Sequence, residues 1–432
     1  MSDSLKIAVT TIGCKVNQYD SAAMLALFLA QGYKQVSFDE IADVYLVSTC
    51  TVTAMADKKS RQMLNRARKL NPNAVICATG CLSQKDGALL KDKCDVDVIV
   101  GNADRANIVD LVKAHQDSHQ LVTDITEIRK DDIYEDLHLS SPTDKTRAFI
   151  KIQEGCDNFC SYCIIPYVRG HARSRPMPSI IDEVTSLVDQ GVKEIVLTGI
   201  HVSSYGADFE SGTRLIHLLE ALDQIPNLER LRLGSLEPLL IDQDFCQRAA
   251  KIRTLCPHFH LSLQSGSATV LARMNRKYSP DMYKDAVNLL REYFDTPAIT
   301  TDIIVGFPGE TESEFSETVN FVRDVGFSKL HVFPYSIRTG TKAATMPNQV
   351  PSQIKKKRVH TLTALDENLQ HAFAKQFVGQ TVCVLFEESD DANENNYVGY
   401  TKRYVRVSAK AGKNTIREVT LKKIIGHTGY EI

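Results

Sequence analysis

The first 130 residues alternate short apolar runs with longer segments that have helical periodicity. Runs of five or six residues rich in Val, Ile and Ala are typical of buried strands, whereas apolar residues spaced three and four apart are typical of amphipathic helices. The predicted strands cover 6–11, 44–48, 74–79 and 96–100, and the clearest predicted helices cover 17–31 and 54–70. Strands that alternate with helices predict an α/β domain over residues 1–130, with a doubly wound parallel sheet.

A second series of strand and helix patterns begins near residue 147. It follows residues 131–146, a polar and acidic stretch with one proline that we interpret as a linker. The predicted strands lie near 149–153, 194–199, 230–234, 259–263, 299–305 and 329–333. This number of strand–helix units is too small for an eight-stranded barrel. The pattern therefore predicts a partial (βα)6 barrel within a domain over residues 147–350.

The pattern changes again after residue 350. Residues 351–376 predict a basic linking helix, in which the run KKKR at 355–358 is typical of a solvated face, and the strand-like remainder predicts an all-β module over 377–432. If its central segment is one strand, alternation places Lys402, Tyr404 and Arg406 on one face, where rings stack on bases and cations meet phosphates. The interleaved aromatic and cationic residues are Tyr397, Tyr400, Lys402, Arg403, Tyr404 and Arg406. This pattern is typical of single-stranded RNA recognition, and the alternative is a β-barrel with ordinary surface charge; the family resemblance described below favours RNA binding.

Composition and charge narrow the class of protein. Residues 351–432 hold 13 Lys and Arg against 9 Asp and Glu, while the whole chain has a net charge of −2. Binding of nucleic acid by bulk positive charge is excluded, but a local basic patch is not. No apolar run approaches the roughly 18 residues of a membrane span, and the first residues do not resemble a secretory signal, so we expect a cytoplasmic protein. Eleven cysteines in such a protein indicate metal or cluster ligands rather than disulfides.

Three of these cysteines lie on one short segment directly after the first strand of the second series. Cys156, Cys160 and Cys163 have the spacing C-x3-C-x2-C. Three thiolates can hold three irons of a [4Fe–4S] cluster, whose fourth iron then stays open to a chelating amino acid such as the methionine part of S-adenosylmethionine (SAM). The alternative is a structural zinc site with His171 as the fourth ligand, although zinc ligands usually come as two separated pairs.

Three further cysteines each follow a predicted strand of the first domain. Cys14, Cys50 and Cys81 would meet at the carboxyl edge of a parallel sheet, where such folds bind ligands. Their arrangement predicts a second cluster with three protein ligands, and the alternative is that each is a small buried apolar residue. The remaining cysteines are expected to pack in the interior; they are Cys77, Cys94, Cys246, Cys256 and Cys383.

Polar residues near the first cluster loop are weaker candidates. Residues at predicted strand ends could hydrogen-bond SAM or could instead satisfy loop backbone; they are Thr198, Gly199, Ser235, Glu237 and Gln264. The segment 306–311 could lie against the adenosine of SAM, or Thr311 could form a capping box with Glu314. Three arginines that follow the cysteine loop suit contact with phosphate or carboxylate, with a solvated loop as the alternative; they are Arg169, Arg173 and Arg175.

The complete set of motifs resembles a known family. The motifs are IGCKVNQYDS (12–21), STCTVTAMA (48–56), TGCLSQ (79–84), GCDNFCSYCIIPYVRGHARSRP (155–176), LTGIHVSSYG (197–206), LGSLEP (233–238), LSLQSGS (261–267) and DIIVGFPGET (302–311). Together they are similar to the methylthiotransferases, radical SAM enzymes with two clusters, over nearly the whole chain. The cysteine loops are most similar to the branch that acts on threonylcarbamoyladenosine in tRNA. The isopentenyladenosine branch usually has Ile-Arg-Glu where this chain has Thr51-Val52-Thr53.

The resemblance implies roles for both cysteine sets. Cys156, Cys160 and Cys163 would hold the [4Fe–4S] cluster that binds and reduces SAM, and an auxiliary [4Fe–4S] cluster would be held by Cys14, Cys50 and Cys81. The C-terminal module would be TRAM-like. The implied reaction is methylthiolation of C2 of threonylcarbamoyladenosine at tRNA position 37, with an electron donor such as flavodoxin or ferredoxin. The alternatives are isopentenyladenosine in tRNA, a ribosomal protein side chain, or a non-catalytic iron–sulfur RNA-binding protein.

Overall fold

The computed structural model describes residues 4–129, 132–139, 146–391 and 393–431. The first sheet has six parallel strands in the order β2-β1-β3-β4-β5-β6. Its elements are β1 (Lys6–Thr11), α1 (Lys15–Ala30), β2 (Lys34–Val36), β3 (Val44–Thr49), α2 (Ala54–Leu70), β4 (Val75–Gly80), α3 (Cys81–Lys93), β5 (Val98–Val100), α4 (Ile108–Ser118) and β6 (Val122–Asp124). Every residue of β3 and β4 is buried, as expected for central parallel strands covered on both faces. The four predicted strands are confirmed.

The second region forms two four-stranded sheets that continue one another. Their orders are β10-β9-β7-β8 and β11-β12-β13-β14, and only β8 runs antiparallel to its neighbour. The strands are β7 (Arg147–Glu154), β8 (Arg173–Ser174), β9 (Glu194–Gly199), β10 (Arg230–Leu233), β11 (Ser235–Leu236), β12 (His258–Leu261), β13 (Ala298–Val305) and β14 (Lys329–Pro334). The helices are α5 (Ile165–Arg169), α6 (Met177–Asp189), α7 (Leu215–Asp223), α8 (Gln243–Ala249), α9 (Ala268–Arg273), α10 (Pro280–Tyr293) and α11 (Glu312–Val325).

Strands β10 and β11 are two parts of one barrel strand interrupted at Gly234. A Cβ atom at this position would lie 2.9 Å from the carbonyl oxygen of Leu197, so the close approach requires glycine. The parallel strands therefore run β7, β9, β10 with β11, β12, β13 and β14 in spatial order. This half-barrel confirms the predicted partial barrel of six strand–helix units.

Helix α1 and the predicted linker both pack against the half-barrel. Tyr19 of α1 belongs to the core of the half-barrel, and its hydroxyl donates to the Leu137 carbonyl at 2.5 Å. Leu137 and Leu139 lie in the same core. The described part of the linker, 132–139, is thus a packed connection between the two regions and not a free tether. Residues 130, 131 and 140–145 lie outside the described part of the chain.

The last region is one long helix and a six-stranded sheet. Its elements are α12 (Ser352–Lys375), β15 (Thr381–Asp390), β16 (Asn393–Thr401), β17 (Arg406–Ala409), β18 (Thr415–Thr420), β19 (Lys423–Ile425) and β20 (Thr428–Tyr430). The strand order is β18-β15-β16-β17-β20-β19. The basic run on α12 is only partly solvated: Lys355 donates to the Tyr335 carbonyl at 2.9 Å, and Arg358 pairs with Glu310 at 3.2 Å. The described part of the chain contains no helix with the length and apolar character needed to cross a membrane.

The C-terminal sheet is fixed to the half-barrel by arginines. Glu194, which is fully buried, pairs with Arg232 at 2.8 Å and with Arg147 at 2.7 Å. Arg147 also pairs with Glu387 of β15, and Arg232 donates to the Lys402 carbonyl at 2.9 Å. The sheet therefore covers the end of the half-barrel where the parallel strands begin.

The predicted common face of Lys402, Tyr404 and Arg406 is wrong. Residues 402 and 403 form a turn between β16 and β17, and Tyr404 has a left-handed backbone with φ of 60°. Strand alternation therefore does not apply there. The Tyr404 ring faces the half-barrel, 3.9 Å from the Arg232 guanidinium and 4.7 Å from the His258 ring, so it is not open for base stacking.

Candidate active site

The cysteine loop begins where β7 ends. Gly155 has φ of 71°, and a Cβ atom there would lie 1.9 Å from the His171 carbonyl oxygen, so only glycine permits this turn. The Cys156 amide donates to the Gly170 carbonyl at 3.0 Å, and the Cys163 amide donates to the Cys160 carbonyl at 2.9 Å. The backbone thus folds the three cysteines into one loop, which we call the loop triad (Cys156, Cys160 and Cys163).

A buried arginine supports the loop triad from another part of the half-barrel. Arg276 donates to the Cys160 sulfur at 3.2 Å and pairs with Glu237 at 2.8 Å. Asn158 of the loop also donates to Glu237 at 2.8 Å. The predicted SAM contact Glu237 is therefore bonded to the loop itself. Arg276 therefore links the Cys160 sulfur to Glu237 and fixes the position of this cysteine.

The second set of cysteines meets at the carboxyl edge of the first sheet, as predicted. Cys14 follows β1, Cys50 follows β3, and Cys81 begins α3 directly after β4, and these three strands are neighbours. A Cβ atom at Gly13 would lie 2.9 Å from the Cys50 sulfur, so glycine allows the first two loops to approach. We call these cysteines the dispersed triad (Cys14, Cys50 and Cys81).

The dispersed triad also has a buried arginine. Arg169, the last residue of α5, donates to the Cys81 sulfur at 3.1 Å. It also donates to Glu154 at 2.6 Å and to Asn17 at 2.5 Å. Arg169 is completely buried. It is thus a positioning residue for the dispersed triad, although it lies in the half-barrel region of the chain.

Of the two partners predicted for these arginines, carboxylate is confirmed for Arg169 and Arg175 and phosphate is wrong. Arg175 is also completely buried and is bonded to Glu183, Asp136 and the Tyr19 hydroxyl. Arg173, 7 % exposed, donates to the Arg169 carbonyl at 3.0 Å. All three guanidiniums are satisfied inside the protein, where a nucleic-acid backbone cannot reach them.

The two triads are neighbours across α5. Cys81 packs in one apolar cluster with Ile164 and Val168, and Ile164 directly follows Cys163. The Asn102 side chain donates to the Val168 carbonyl at 2.8 Å and fixes the other end of α5. A helix of five residues therefore separates the loop triad from Cys81.

The thiols suit a cluster better than a single ion. Burial raises the pKa of Cys50 and of Cys163 to about 12, so these thiols stay protonated at neutral pH until a metal replaces the proton. Within the residues that the structure describes, no three His, Cys, Asp or Glu side chains converge tightly enough for one metal ion. At the loop, the Nδ1 atom of His171 bonds Asp157. A [4Fe–4S] cluster places each cysteine on a different iron and needs no such common point.

A large cavity opens beside Cys14 and extends along the half-barrel. Its volume is about 910 Å³, and it reaches from Cys14 and Lys15 past Ser235 and Asp302 to Tyr404 of the C-terminal sheet. Thr198, Gly199 and Ser235, three of the predicted SAM contacts, line this cavity. The cavity has room for a nucleoside-sized ligand.

The other SAM candidates have structural partners. Gln264 has a left-handed backbone, and its amide and carbonyl bond Asp302 and Ile304 at 2.9 Å each. In the segment 306–311 the capping box is confirmed: the Thr311 amide donates to Glu314 at 2.8 Å, and the Glu314 amide donates to the Thr311 hydroxyl at 3.2 Å. The capping box therefore serves the backbone of the half-barrel, and contact of the Gln264 side chain with SAM stays a prediction.

Several residues of the site were not found from the sequence. Arg276 lies more than 100 residues from the loop that it supports, and Asn17, which bridges Arg169 to the Ile12 and Thr49 carbonyls, is an ordinary helix residue by pattern. Lys15 directly follows a cysteine of the dispersed triad, a position that could have attracted attention. Four of the cysteines expected to pack in the interior are buried, and Cys383 is half-buried.

Comparison with known proteins agrees with this geometry. Residues 150–322 match the family described as "Radical SAM superfamily", and residues 6–101 match "Uncharacterized protein family UPF0004". The "Threonylcarbamoyladenosine tRNA methylthiotransferase MtaB" of Bacillus subtilis (strain 168) is 42% identical over 97% of this chain and 93% of its own length. The chain belongs to the radical SAM tRNA methylthiotransferase family. It is therefore an enzyme that uses SAM and [4Fe–4S] clusters.

Relatives in a second branch of this methylthiotransferase family are less similar. The "tRNA-2-methylthio-N(6)-dimethylallyladenosine synthase" of Clostridium botulinum (strain Okra / Type B1) is 35% identical over 98% of this chain and 95% of its own length. Among solved structures, the radical SAM methyltransferase TsrM from Kitasatospora setae, with cobalamin and a [4Fe-4S] cluster bound, has a TM-score of 0.59 at 14% identity. It covers 79% of this chain and 74% of its own chain. That likeness confirms the α/β fold with a half-barrel.

Proposed function

We propose that this chain places a methylthio group on C2 of threonylcarbamoyladenosine at position 37 of tRNA. The observation that carries the proposal is the meeting of two cysteine triads across α5, with Cys14 of the dispersed triad on the wall of a large cavity. The choice of nucleoside is supported by the relatives named for threonylcarbamoyladenosine, of which one is 42% identical, against 35% for the dimethylallyladenosine branch.

The loop triad would hold the cluster that binds SAM, and the dispersed triad would hold the auxiliary cluster. When bound, these groups supply radical and sulfur chemistry that acid–base side chains cannot, because the C2–H bond of adenine is not acidic. The protein orients them through Arg276 at Cys160 and Arg169 at Cys81. Thr198, Gly199 and Ser235 would contact SAM, and their position on the cavity wall supports this role. A low-potential donor such as flavodoxin or ferredoxin would supply electrons.

The rim of the site offers apolar surface to an RNA loop. Large apolar side chains are exposed where the two regions meet, namely Val52, Met55, Phe159, Tyr167 and Phe333. Arg338 donates to the Thr51 hydroxyl at 2.6 Å and so ties the segment near Val52 to the segment after Phe333, while the Phe159 and Tyr167 rings contact each other edge to face with their centres 5.8 Å apart. Exposed rings stack on unpaired bases, and an anticodon loop presents such bases. The rim therefore supports contact with the nucleotides that flank position 37.

The C-terminal sheet would be a TRAM-like RNA-binding module whose contacts would lie away from the Tyr404 turn, because that turn packs on the half-barrel. Lys410 and Lys423 are exposed on it. Neutralising both should weaken tRNA binding and reduce the salt dependence by about two phosphate contacts, whereas an unchanged salt slope excludes these two lysines.

In the N-terminal sheet, the parallel order β2-β1-β3-β4 reverses direction after β2, which supports a doubly wound arrangement.

The proposal is tested by mass spectrometry of tRNA nucleosides from a strain that lacks this gene. We expect loss of 2-methylthio-threonylcarbamoyladenosine, accumulation of its unthiolated precursor, and recovery when the intact gene is returned. Loss of the dimethylallyl derivative would place the enzyme in the other tRNA branch. An unchanged set of tRNA nucleosides would favour a protein substrate or a non-catalytic role and would refute the proposal.

A further inference from the structure

The cavity becomes strongly polar where it passes along the inside of the half-barrel. Its lining carries six Lys and Arg residues against three Asp and Glu residues. Most of these cations have fixed partners: Arg147 and Arg232 share the buried Glu194, and Arg403 donates to the Thr296 carbonyl at 2.9 Å. The positive charge that remains for a ligand is thus confined to a few side chains.

Lys15 is the clearest of these. Its ammonium lies 5.3 Å from the centre of the Phe149 ring and makes no hydrogen bond or ion pair with any residue in the described ranges. Lys15 is exposed on the wall of the cavity, so its ammonium is free to pair with an anionic group of a ligand that enters there.

His258 provides an independent second observation. It is 7 % exposed and lines the same cavity, and its ring nitrogen Nδ1 has no hydrogen-bond partner. Its neighbour His260 is fully engaged, with Thr300 at 2.9 Å and Asp302 at 3.3 Å. Burial, and next the charge of Arg232, lower the pKa of His258 well below its usual value, so the ring is neutral. An unpaired polar atom at this depth indicates a polar ligand group.

We infer that Lys15 and His258 form a subsite for the threonyl part of the substrate's N6 substituent, with Lys15 pairing with its carboxylate. This inference rests on the proposed function and deepens it. The threonylcarbamoyl group carries one carboxylate and one hydroxyl, which match an ammonium and a neutral ring nitrogen. A dimethylallyl group carries neither and would leave both side chains unpaired, so the subsite selects between the two nucleosides. Lys15 directly follows Cys14, and a substituent held there keeps the adenine beside the dispersed triad.

The test measures binding of anticodon stem-loops by the cluster-loaded enzyme. One stem-loop carries threonylcarbamoyladenosine, the second carries the same group with its carboxylate converted to a carboxamide, and the third carries dimethylallyladenosine. In the unchanged enzyme the carboxylate form should bind about tenfold more tightly than the carboxamide, as one charge-assisted hydrogen bond predicts. Lys15→Met should bind the two alike, and Lys15→Arg should keep the preference. His258→Phe should lower the affinity for both forms without removing the preference.

Lys34→Met is the matched control, because Lys34 is an exposed lysine on the edge strand β2. It should keep the tenfold preference, and iron content should show that each variant still holds its clusters. The inference is overturned if the unchanged enzyme binds carboxylate and carboxamide equally, or if Lys15→Met keeps the preference. Should Lys15→Met fail to load iron, Lys15→Gln provides the same comparison. If the unchanged enzyme methylthiolates none of the stem-loops, the proposed function fails; if it methylthiolates the first but Lys15 has no effect on preference, only this subsite fails.

Discussion

The loop triad and the dispersed triad reach the same arrangement by different routes. The first gathers its cysteines from eight consecutive residues, while the second takes one cysteine from each of three strand ends. Each triad nevertheless has one thiol that accepts a hydrogen bond from a buried arginine, which in turn is held by a carboxylate. These sequences of contacts are Glu237–Arg276–Cys160, at 2.8 and 3.2 Å, and Glu154–Arg169–Cys81, at 2.6 and 3.1 Å.

The two arginine–carboxylate pairs that support the triads differ in how deeply they are buried. Glu154 and Arg169 belong to a charged cluster completed by Asp20, Arg105 and Lys151, all of them at most 3 % exposed. Glu237 and Arg276 have side chains 12% and 7% exposed and a smaller set of partners. A loop fixes its own three cysteines through local backbone bonds. Cysteines on separate elements depend on a network that also crosses between the first sheet and the half-barrel.

The largest expected effect separates the roles of the triads. Cys160→Ala should reduce reductive cleavage of SAM to background, because the cluster that chelates SAM loses a ligand. Replacement of Cys14, Cys50 and Cys81 by alanine should preserve that cleavage and abolish the thiolated product. Formation of 5′-deoxyadenosine and of the modified nucleoside is measured in the same reaction. Cys246→Ala, which removes a buried thiol from α8, is the control and should keep both activities. Loss of SAM cleavage in the triple variant with the loop cluster intact would contradict this division.

Because the dispersed triad rests on a buried charged network, a mutation in that network should destabilise the protein more than a mutation beside the loop triad. Burial opposes ionisation of Glu154, but Arg169, Lys151 and Arg105 outweigh it and hold its pKa well below the usual range. Its stabilisation is therefore complete above the usual carboxyl pKa, about 4.3, and is lost as the pH falls through the lower folded value. Glu154→Gln should lower the free energy of unfolding at pH 7 by about 3–5 kcal/mol and flatten its acid dependence.

The matched change on the loop side should cost less. Burial opposes ionisation of Glu237, and hydrogen bonds from His201 together with the charge of Arg276 lower its pKa below the usual value. Glu237→Gln should therefore cost about 1–3 kcal/mol at pH 7. Thermal unfolding of both variants between pH 7 and pH 3.5 checks the order. If the two variants lose equal unfolding free energy, the deeper burial of the network around Glu154 does not make the support of the dispersed triad the more important one for stability.

The smallest expected effect concerns the two arginines and the electronic state of each cluster. A donor to a cysteine sulfur stabilises the more negative, reduced cluster, so removing it lowers the reduction potential. Arg169→Gln should lower one potential, and Arg276→Gln the other, by about 60–120 mV, which corresponds to about 1.5–3 kcal/mol for one electron. Redox titration followed by electron paramagnetic resonance resolves the two signals. If both variants shift the signal of the same cluster, the two arginines do not each support a different cluster.

The parts of the molecule that depend on local pattern were predictable. The six barrel strands and both sets of cysteines follow from runs of residues and from where strands end. The edge strands β2 and β6 escaped prediction because each has three residues and partly polar composition. A short polar run has no periodicity to detect.

The parts that depend on burial across the fold were not predictable. The position of Arg169 and Arg175 after the cysteine loop predicts contact with phosphate or carboxylate. The pattern does not show that α1 and the segment 132–139 enclose them, which leaves only the carboxylates of the protein as partners. The turn before Tyr404 has none of the glycine or asparagine residues that usually mark a left-handed backbone, so the sequence pattern predicts a continuous strand there. The roles of Arg276 and Lys15 are visible only in the folded structure, where segments that are distant in the sequence lie side by side.

Iron stoichiometry tests the central claim most directly, since the claim is that each triad holds its own [4Fe–4S] cluster. The enzyme reconstituted without oxygen should bind about eight irons per chain, and the variant with alanine at Cys14, Cys50 and Cys81 should bind about four. The variant should also keep the cluster signal that SAM perturbs. Full iron content in the triple variant would contradict the account, because the dispersed triad would then hold no cluster.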